Sequence, residues 1–400
     1  MISMRKFRTP DAVIAGAGFS GMTLARALAE KGVKVLVLEK RSHIAGNAYD
    51  EKDEQTGLTV HRYGPHIFHT RDKAVFNFLS RFTDWNGYEH KVLANIYGKF
   101  MPVPFNLDSL YLAFPETKAK ALEQKLLARY GENTNVSILE LLKTDDSALH
   151  ELGSYIYRNI FETYTVKQWD KKPEDIDPAT TARVPIRLSR DDRYFTDPYQ
   201  GLPTDGYTPL FRRMADHENI EIHTKTDALS LMRLSESDKK LYFDGQPFCG
   251  VFVYTGVPDA LLDRRCGALP YRSLDFSFEV QNTEFFQPCG TVNYTVDKDY
   301  TRITEFKHMT LEKSPRTVIL KEYSKNCDFA RGDIPYYPIL SPESTALFEK
   351  YTAALAAYKN LYLIGRLAEY RYYNMDAAVS RALAAADEIL AAHFACGASV

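Results

Sequence analysis

Cysteine is scarce in this chain: five of its 400 residues are cysteine, and no two of them form a C-x-x-C pair. The odd number and the wide spacing argue against a disulfide framework and against a metal site, and they favour a reducing cytoplasm. Long apolar runs are also missing, so no membrane-spanning segment is predicted. The basic start is not followed by an apolar segment before Asp11, so we predict no signal peptide.

The chain also has no large excess of positive or negative charge. The formal net charge is −2, which gives no electrostatic signature of a nucleic-acid or acidic-membrane partner. An anionic substrate must therefore be held by local arginines. Tryptophan is rare, with 2 residues, whereas there are 26 tyrosines, and several of these cluster with arginine, as in 192–195 and 370–374. This combination favours the binding of sugars, bases and phosphates.

A glycine motif near the start is the most informative feature that is present. In segment 11–21 a short apolar strand runs into a G-x-G-x-x-G loop and opens an Ala/Leu-rich helix. Gly16 permits the tight turn, Gly18 allows a pyrophosphate to approach the backbone, and Gly21 allows helix and strand to pack closely. The helix N-terminus offers free N–H groups to the phosphates. Because Glu39 ends the second strand, where an acidic residue binds a ribose hydroxyl, the motif predicts a dinucleotide site.

The motif alone leaves NAD and FAD open. The loop after the second strand is basic and contains glycine, and such a loop can wrap a second phosphate and the start of an isoalloxazine; its residues are Lys40, Arg41, Gly46 and Asn47. The motif also lies at the N-terminal end of the chain, as it commonly does in flavoproteins. We therefore predict FAD.

A second helix N-terminus is predicted at the ring end of this cofactor. A late strand ends at Gly365, and an Ala-rich helix starts near Asp376. The partial positive charge of that helix end would stabilise a flavin that is anionic when reduced.

The fold class predicted from these patterns is α/β, with a Rossmann-like FAD-binding domain interleaved with a helical domain and an antiparallel β-sheet domain. A βαβ unit comes first, helical periodicity follows, aromatic and β-branched runs come next, and a strand and helix end the chain. The predicted segments are 1–76, 218–262 and 340–400 for the FAD-binding domain, 85–176 for the helical domain, and 77–84, 177–217 and 263–339 for the sheet domain.

Motifs outside the dinucleotide fingerprint carry a family resemblance over nearly the whole chain. They are YGPHIFHT (63–70), KQW (167–169), RVPIR (183–187), YQGLP (199–203), TRITEFK (301–307) and the segment 365–376. Together they resemble UDP-galactopyranose mutases of the bacterial type. The resemblance implies an FAD enzyme that interconverts UDP-galactopyranose and UDP-galactofuranose without net redox change, with N5 of the reduced flavin attacking the anomeric carbon. It also implies a homodimer and an unidentified reductant such as NAD(P)H.

The resemblance also implies roles for individual residues. For catalysis it implies Arg183 and Arg302 at the leaving diphosphate and His66 near the flavin ring. With the fingerprint, it implies a cofactor site of Gly16, Gly18, Phe19, Ser20, Gly21, Glu39, Lys40, Arg41, Gly46, Asn47, His66, Ile67, Gly365, Arg366, Asn374, Met375 and Asp376. The implied substrate site comprises Tyr164, Trp169, Arg183, Tyr194, Asn293, Arg302, Tyr337, Arg366, Tyr372 and Asn374.

Several alternatives stay open at this point. Arg187 is a near neighbour of Arg183 and competes for its role. An amine-oxidase-like flavoprotein on the same fold is a second interpretation, and it predicts an apolar substrate tunnel. A binding protein that has lost FAD is a third, which the intact glycines oppose. We further predict that the Pro- and charge-rich segment 171–190 is a lid, and that His61 and His69 are loop histidines satisfied by backbone groups.

Overall fold

A five-stranded parallel sheet organises the first part of the fold. The computed structural model describes residues 6–7, 9–162 and 185–394. The strands lie in the spatial order Ile220–His223, Val35–Leu38, Ala12–Ala15, Val251–Tyr254 and Leu361–Leu363, and every pair is parallel. Strands from the start, the middle and the end of the chain thus join one sheet, as the predicted interleaved Rossmann-like fold requires.

Both faces of the parallel sheet are buried, which explains why its strands are almost continuously apolar. In the strand Ala12–Ala15, Ala12 and Ile14 belong to one core, whereas Val13 and Ala15 belong to another. The first face is covered by the helices Phe19–Ala29, Tyr207–Ala215 and Met375–Ile389. The second face is covered by the helix Pro342–Leu355 and by a small sheet of Met232–Leu234, Leu241–Phe243 and Gln246–Pro247.

A seven-stranded sheet, called the mixed sheet below, forms the second part of the fold. Its strands lie in the order Tyr337–Pro338, Tyr271–Gln281, Thr317–Asn326, Arg302–Glu305, Thr291–Tyr294, Val92–Ile96 and Lys99–Val103. All pairs are antiparallel except Thr291–Tyr294 with Val92–Ile96, which is parallel. The strands of the predicted sheet segment 263–339 are thus antiparallel to one another, as predicted, and the parallel pair joins them to a strand from a distant part of the chain.

The hairpin at the end of the mixed sheet lies inside 85–176, for which the sequence predicts a helical domain. Its strands are Val92–Ile96 and Lys99–Val103, and Pro102 is tolerated because the second strand lies at the sheet edge. The helix Tyr207–Ala215 also differs from the prediction, since it lies in a predicted sheet segment but packs on the helix Phe19–Ala29. The domain boundaries themselves stay a prediction.

Helices follow the hairpin. They are Leu107–Ala113, Glu116–Tyr130, Ile138–Leu142 and Ser147–Ile156, continued by a π-helical turn at Tyr157–Glu162. The first begins at a capping box, in which the Asn106 side chain accepts from the backbone N of Ser109 at 3.0 Å and the Ser109 hydroxyl accepts from the backbone N of Asn106 at 3.2 Å. These helices share one apolar core with the hairpin.

Shorter elements connect these layers. The two-stranded pairs are Asp50–Lys52 with Thr59–His61, Phe68–Thr70 with Tyr199–Gly201, and Asn135–Val136 with Ile186–Arg187. The short helices and helical turns are Gly46–Ala48, Lys73–Ser80, Ala228–Ser230, Pro258–Leu262, Phe306–Thr310, Phe329–Arg331 and Leu390–Phe394. Among the described residues, no helix combines the length and the apolar character that crossing a membrane requires.

Asp50 caps the helix Tyr207–Ala215 from a distant strand. The helix begins after Gly206, which has no side chain to cap it. Asp50 is buried, and its Oδ2 accepts from the backbone N of Tyr207 at 2.5 Å while its Oδ1 accepts from the backbone N of Thr208 at 2.7 Å. These N–H groups have no partner inside the helix. Asp50 therefore fixes the strand pair 50–61 against the helical layer.

We predict that Asp50→Asn lowers the free energy of unfolding by about 2 kcal/mol, because the amide offers one oxygen to two buried N–H donors. Asp72→Asn is the matched control. Asp72 caps the helix Lys73–Ser80 by accepting from two backbone N atoms with one oxygen, and asparagine caps such a position equally well. Urea denaturation followed by circular dichroism measures both variants, and an equal loss in the two would contradict the prediction.

Candidate active site

Two cavities, of about 390 Å³ and about 330 Å³, lie side by side in the described residues. The first cavity lies at the glycine loop, beside the carboxyl ends of parallel strands. The second cavity lies over one face of the mixed sheet. Six residues line both cavities, namely Asn47, His66, Tyr336, Arg366, Asn374 and Met375. A ligand in one cavity therefore lies next to a ligand in the other.

Backbone contact between two loops shapes the first cavity. Gly16 has φ +112°, and a Cβ there would lie 2.1 Å from Oγ1 of Thr255. Gly46 has φ +56°, and its Cβ would lie 2.8 Å from Cα of Gly18. Ala45 also lies in the left-handed region, with φ 75°, which costs a non-glycine residue about 1 kcal/mol. The loops are thus packed so closely that their backbone is the wall of the cavity.

Polar groups in the wall of the first cavity are of the kind that bind a dinucleotide. Glu39 is buried, and its carboxylate accepts from the backbone N atoms of Ala17 and Arg41, each at 2.9 Å. The Arg41 guanidinium donates from Nη2 to Oδ1 of Asn47 at 2.9 Å and lies over the ring of Tyr63. Its Nη1 is buried and has no hydrogen-bond partner among the described residues. A buried guanidinium N–H without a partner calls for an anion such as a phosphate.

The predicted cofactor residues collect at the first cavity with two exceptions. Those that line it are Gly16, Gly18, Phe19, Ser20, Gly21, Glu39, Lys40, Arg41, Gly46, Asn47, His66, Gly365, Arg366, Asn374 and Met375. Ile67 lines the second cavity instead, and Asp376 lines neither. The helices that begin at Phe19 and Met375 have no side-chain cap, so both N-termini leave N–H groups at this cavity. The residues present fit a bound dinucleotide, although their individual roles stay predictions.

A row of polar side chains forms the floor of the second cavity. Asn293, Arg302 and Glu322 lie directly opposite one another on three neighbouring strands, so their side chains share one face of the sheet. Arg302 Nε donates to Oε1 of Glu322 at 2.7 Å, and Glu322 is only 1% exposed. Oδ1 of Asn293 is buried and lacks a hydrogen-bond partner within the described ranges. The row therefore offers a cation, its counter-ion and an open amide oxygen.

Arg366 lies where the two cavities meet, and two tyrosines lie beside it. The rings of Tyr337 and Tyr372 are stacked, with centroids 5.0 Å apart, and the Arg366 guanidinium lies 4.8 Å from the Tyr337 centroid. Arg366 also donates to the backbone oxygens of Tyr373 at 2.8 Å and Tyr336 at 3.4 Å. Because carbonyl groups hold it rather than carboxylates, Arg366 keeps a full positive charge at the cavity.

Three histidines at this site are neutral: His61 and His90, which are buried, and His66, which is half-buried. Burial lowers the pKa of His61 to about 4, and burial with the neighbouring His61 lowers the pKa of His66 to about 3. Burial, with Arg302 nearby, also lowers the pKa of His90 to about 3. Nδ1 of His66 lies 2.9 Å from the backbone oxygen of Gly64, so Nδ1 carries the proton. His66 is therefore a hydrogen-bond acceptor through Nε2 and a weak base.

The predicted substrate residues divide into two groups, and Arg187 stands beside them as the alternative to Arg183. Those that line the second cavity are Tyr194, Asn293, Arg302, Tyr337, Arg366, Tyr372 and Asn374. Tyr164, Trp169 and Arg183 lie outside the described residues, as does most of the predicted lid 171–190. Arg187 is described, and its Nη1 donates to the backbone oxygens of Asp191 at 3.3 Å and Arg193 at 2.6 Å. Arg187 lines neither cavity, so its guanidinium serves the local loop.

Sequence reasoning missed several polar residues that line the second cavity, among them His90, Arg272, Glu322 and Tyr336. Arg272 is fully buried and donates to the side chains of Asn326 at 2.5 Å and Ser324 at 2.9 Å. Arg272 lies between Tyr271 and Ser273 at the start of a strand, and no local pattern marks it as a site residue. Glu322 has no local signal either, because its place in the site follows from strand pairing with Arg302.

His69 differs from its prediction. The backbone does not satisfy its ring, since Nδ1 lies 2.7 Å from Oδ2 of Asp197. His61 agrees better with the prediction, because its Nδ1 accepts from the backbone N of His66 at 3.0 Å. His69 also lines the second cavity, whereas its partner Asp197 does not.

Comparison with known proteins extends this picture. The sequence profile of UDP-galactopyranose mutases matches residues 159–372. A probable UDP-galactopyranose mutase of Klebsiella pneumoniae is 38% identical over 381 residues, which is 94% of each chain. The chain belongs to the UDP-galactopyranose mutase family. A profile of NAD(P)-binding Rossmann-like domains also matches residues 14–82, which confirms the predicted fold class at the glycine motif.

Two further similarities concern the sugar nucleotide and the fold. A dTDP-fucopyranose mutase of Escherichia coli is 36% identical over 375 residues, with 93% of this chain and 96% of the relative covered. A crystal structure of a reduced UDP-galactopyranose mutase has a TM-score of 0.68 at 17% identity, with 96% of both chains covered. The structural likeness supports the fold of this family member. The family implies a mutase with a flavin cofactor, whereas the sugar nucleotide is a separate question.

We predict that Gly46→Ala lowers the flavin affinity of the purified protein at least tenfold, because the new methyl group would force the two loops apart. Gly57→Ala is the matched control, since Gly57 also has a positive φ, +72°, but has no atom within 4 Å of its Cβ position. Both variants carry the strain of about 1 kcal/mol. Flavin absorbance per chain and reconstitution titrations measure the affinity, and equal flavin content in both variants would contradict the prediction.

The neutral histidines predict an acid-sensitive fold. An unfolded histidine binds a proton below pH 6.5, whereas His61, His66 and His90 stay neutral until about pH 4 or 3. Their stabilising contribution is therefore complete above pH 6.5 and falls, as the pH is lowered, by about 1.4 kcal/mol per unit for each histidine. Urea denaturation at several pH values measures this slope. His90→Gln should lower the slope of the unfolding free energy against pH by about 1.4 kcal/mol per pH unit, which is the contribution of one histidine. An unchanged slope would show that His90 does not contribute to the acid sensitivity.

Proposed function

We propose that this family member interconverts UDP-galactopyranose and UDP-galactofuranose, without net redox change, and that its cofactor is FAD in the reduced form. The observation that carries the proposal is the junction of the two cavities. Six residues line both, so a sugar nucleotide in the second cavity lies beside the ring end of a dinucleotide in the first. When bound and reduced, FAD supplies a nucleophilic ring nitrogen for the anomeric carbon of the sugar.

The first cavity provides the groups that FAD needs. Glu39 would accept from a ribose hydroxyl, since its carboxylate lies at the end of a parallel strand at the cavity wall. The unpartnered Nη1 of Arg41 and the N-terminus of the helix Phe19–Ala29 would hold the pyrophosphate. The N-terminus at Met375 lies at the junction, where its partial positive charge would favour a reduced, anionic ring.

The second cavity provides the groups that a nucleoside diphosphate sugar needs. Arg302 would bind the diphosphate and neutralise the charge that develops as UDP leaves. Glu322 holds Nε of Arg302 at 2.7 Å, which fixes the side chain before the substrate arrives. The open oxygen of Asn293 would accept from a hydroxyl, and the stacked Tyr337 and Tyr372 would donate to phosphate oxygens.

His66 is a hydrogen-bond acceptor in this proposal and not a strong base. Its ring is half-buried and neutral, and its Nδ1 is committed to the backbone oxygen of Gly64. We propose that Nε2 accepts a hydrogen bond at the junction of the two cavities and so orients a group of the substrate or cofactor there. Arg183 keeps its proposed place at the diphosphate on the family resemblance alone.

The alternative of an amine-oxidase-like enzyme fits the second cavity poorly. Such an enzyme needs an apolar tunnel, whereas this cavity has Arg272, Arg302, Arg366 and Glu322 in its wall. A second sugar nucleotide fits better, because the Escherichia coli relative is named for dTDP-fucopyranose. The homodimer, the cytoplasmic location and an NAD(P)H-type reductant stay expectations.

The test is to incubate the dithionite-reduced holoenzyme with UDP-galactofuranose and to separate the products by anion-exchange chromatography. We expect UDP-galactopyranose to form only after reduction, while total UDP-sugar stays constant. A parallel incubation contains dTDP-fucofuranose. If kcat/KM is higher for that compound, the proposed substrate is wrong, and no conversion of either compound by reduced, flavin-bound protein would reject the mutase proposal.

Arg302→Ala is predicted to keep the flavin and to lower kcat/KM by at least roughly 100-fold, since a cation at the leaving diphosphate is removed. Because the change also leaves Glu322 buried without its counter-ion, Arg302→Lys is the companion variant with the charge retained. Arg233→Ala is the control, as Arg233 is exposed and lies over Tyr242 in the small sheet. Near-normal kcat/KM in Arg302→Ala would remove Arg302 from the active site.

A further inference from the structure

A carboxylate outside the wall of the second cavity is aimed at a histidine within it. Oδ2 of Asp197 lies 2.7 Å from Nδ1 of His69, and Oδ1 of Asp197 accepts from Nε of Arg71 at 2.7 Å. The register of the pair Phe68–Thr70 and Tyr199–Gly201, in which His69 faces Gln200, brings these residues together. Of the three, His69 lines the cavity and Asp197 and Arg71 do not. Asp197 therefore acts on the cavity through His69.

The partners of Asp197 keep its carboxylate ionised. Burial alone would raise the pKa of Asp197, but hydrogen bonds from Arg71 and His69 outweigh it and hold this pKa below its ordinary value. An ionised carboxylate is an acceptor and has no proton to donate. Nδ1 of His69 must therefore carry the proton, and in the neutral ring Nε2 is left with a lone pair.

Packing fixes the His69 ring as well as its proton. The ring lies flat on Phe195, with centroids 3.5 Å apart and an angle of 14° between the planes. Nε2 of His69 has no hydrogen-bond partner in the parts of the chain that the structure describes. A rigid ring with a bare nitrogen at a cavity wall is prepared for a donor from a ligand.

We propose that Asp197 is a positioning residue, which holds His69 as the Nδ1–H tautomer so that Nε2 accepts a hydrogen bond from a hydroxyl of the substrate's sugar. This rests on the proposed function. Phosphate oxygens have no proton to donate at neutral pH, so the diphosphate is excluded as the partner. The sugar is favoured over the nucleoside because His69 follows closely on His66, which lies at the junction with the cofactor cavity.

The first experiment reads the tautomer in the unmodified protein. ¹⁵N-histidine-labelled holoenzyme is examined by NMR at pH 7, and the His69 signals are assigned by their loss in His69→Gln. We expect Nδ1 to carry the proton and Nε2 to show the shift of a bare nitrogen. A proton on Nε2 instead would overturn the proposal. This measurement holds even if UDP-galactofuranose is not the substrate, so it separates this inference from the proposed function.

The second experiment reverses the hydrogen bond. In Asp197→Asn the amide NH₂ can donate to Nδ1, which moves the proton of His69 to Nε2. We expect the NMR tautomer to change and kcat/KM for UDP-galactofuranose to fall roughly 10- to 100-fold, as for a lost hydrogen bond in a buried site. Arg71→Gln, which leaves the Asp197–His69 pair in place, should keep the wild-type tautomer and lose less than roughly threefold.

A ligand without the sugar completes the test. The Kd of UDP should change less than twofold in Asp197→Asn, because UDP retains the uridine, the ribose and the diphosphate. Asp192→Asn is the matched control on the same segment, since Asp192 pairs with Lys91 at 2.9 Å at the surface, and its kcat/KM and tautomer should stay unchanged. Wild-type kcat/KM in Asp197→Asn, or a loss of UDP affinity as large as the loss of kcat/KM, would overturn the proposal.

Discussion

Backbone contact between the glycine loop and the segment Ala45–Ala48 is the constraint on which the rest of the site depends. The backbone N of Ala45 donates to the oxygen of Ala17 at 2.9 Å, and Gly46 lies against Gly18 with no room for a side chain. This contact places Arg41 and Asn47 in the wall of the first cavity, and Asn47 also lines the second. The left-handed backbone of Ala45 is the energetic cost of holding the two loops together.

The second cavity is shaped by strand pairing and not by contact between loops. Its floor is set by strand register, since Asn293, Arg302 and Glu322 share a row only because three strands pair as they do. The buried Glu322 fixes Arg302, and carbonyl oxygens fix Arg366. One arginine is therefore oriented by a carboxylate and the other by carbonyl oxygens, and both guanidinium groups remain cations for a ligand. Such fixed donors need little rearrangement when an anion binds.

The parts that sequence reasoning could predict were those encoded in contiguous residues. The glycine motif, Glu39 and the last strand and helix identify a Rossmann-like fold because turn, strand and helix signals follow one another locally. The motif residues also identified much of the second cavity through family resemblance. The parallel pair in the mixed sheet, the row through Glu322 and the pair Asp197–His69 were not predictable in this way. Each of these three features depends on which distant segments of the chain become neighbours in the fold. A local sequence pattern does not determine that.

The side chain of Arg366 reaches both cavities, and this has a thermodynamic consequence. Ligands that contact one shared group influence each other's binding, and such coupling is reciprocal. If reduction of the cofactor strengthens substrate binding, the substrate must raise the cofactor's midpoint potential by the same free energy. For a two-electron couple, each tenfold gain in affinity corresponds to about 30 mV. The abundance of sugar nucleotide would then help to set how much of the enzyme is held in its reduced state.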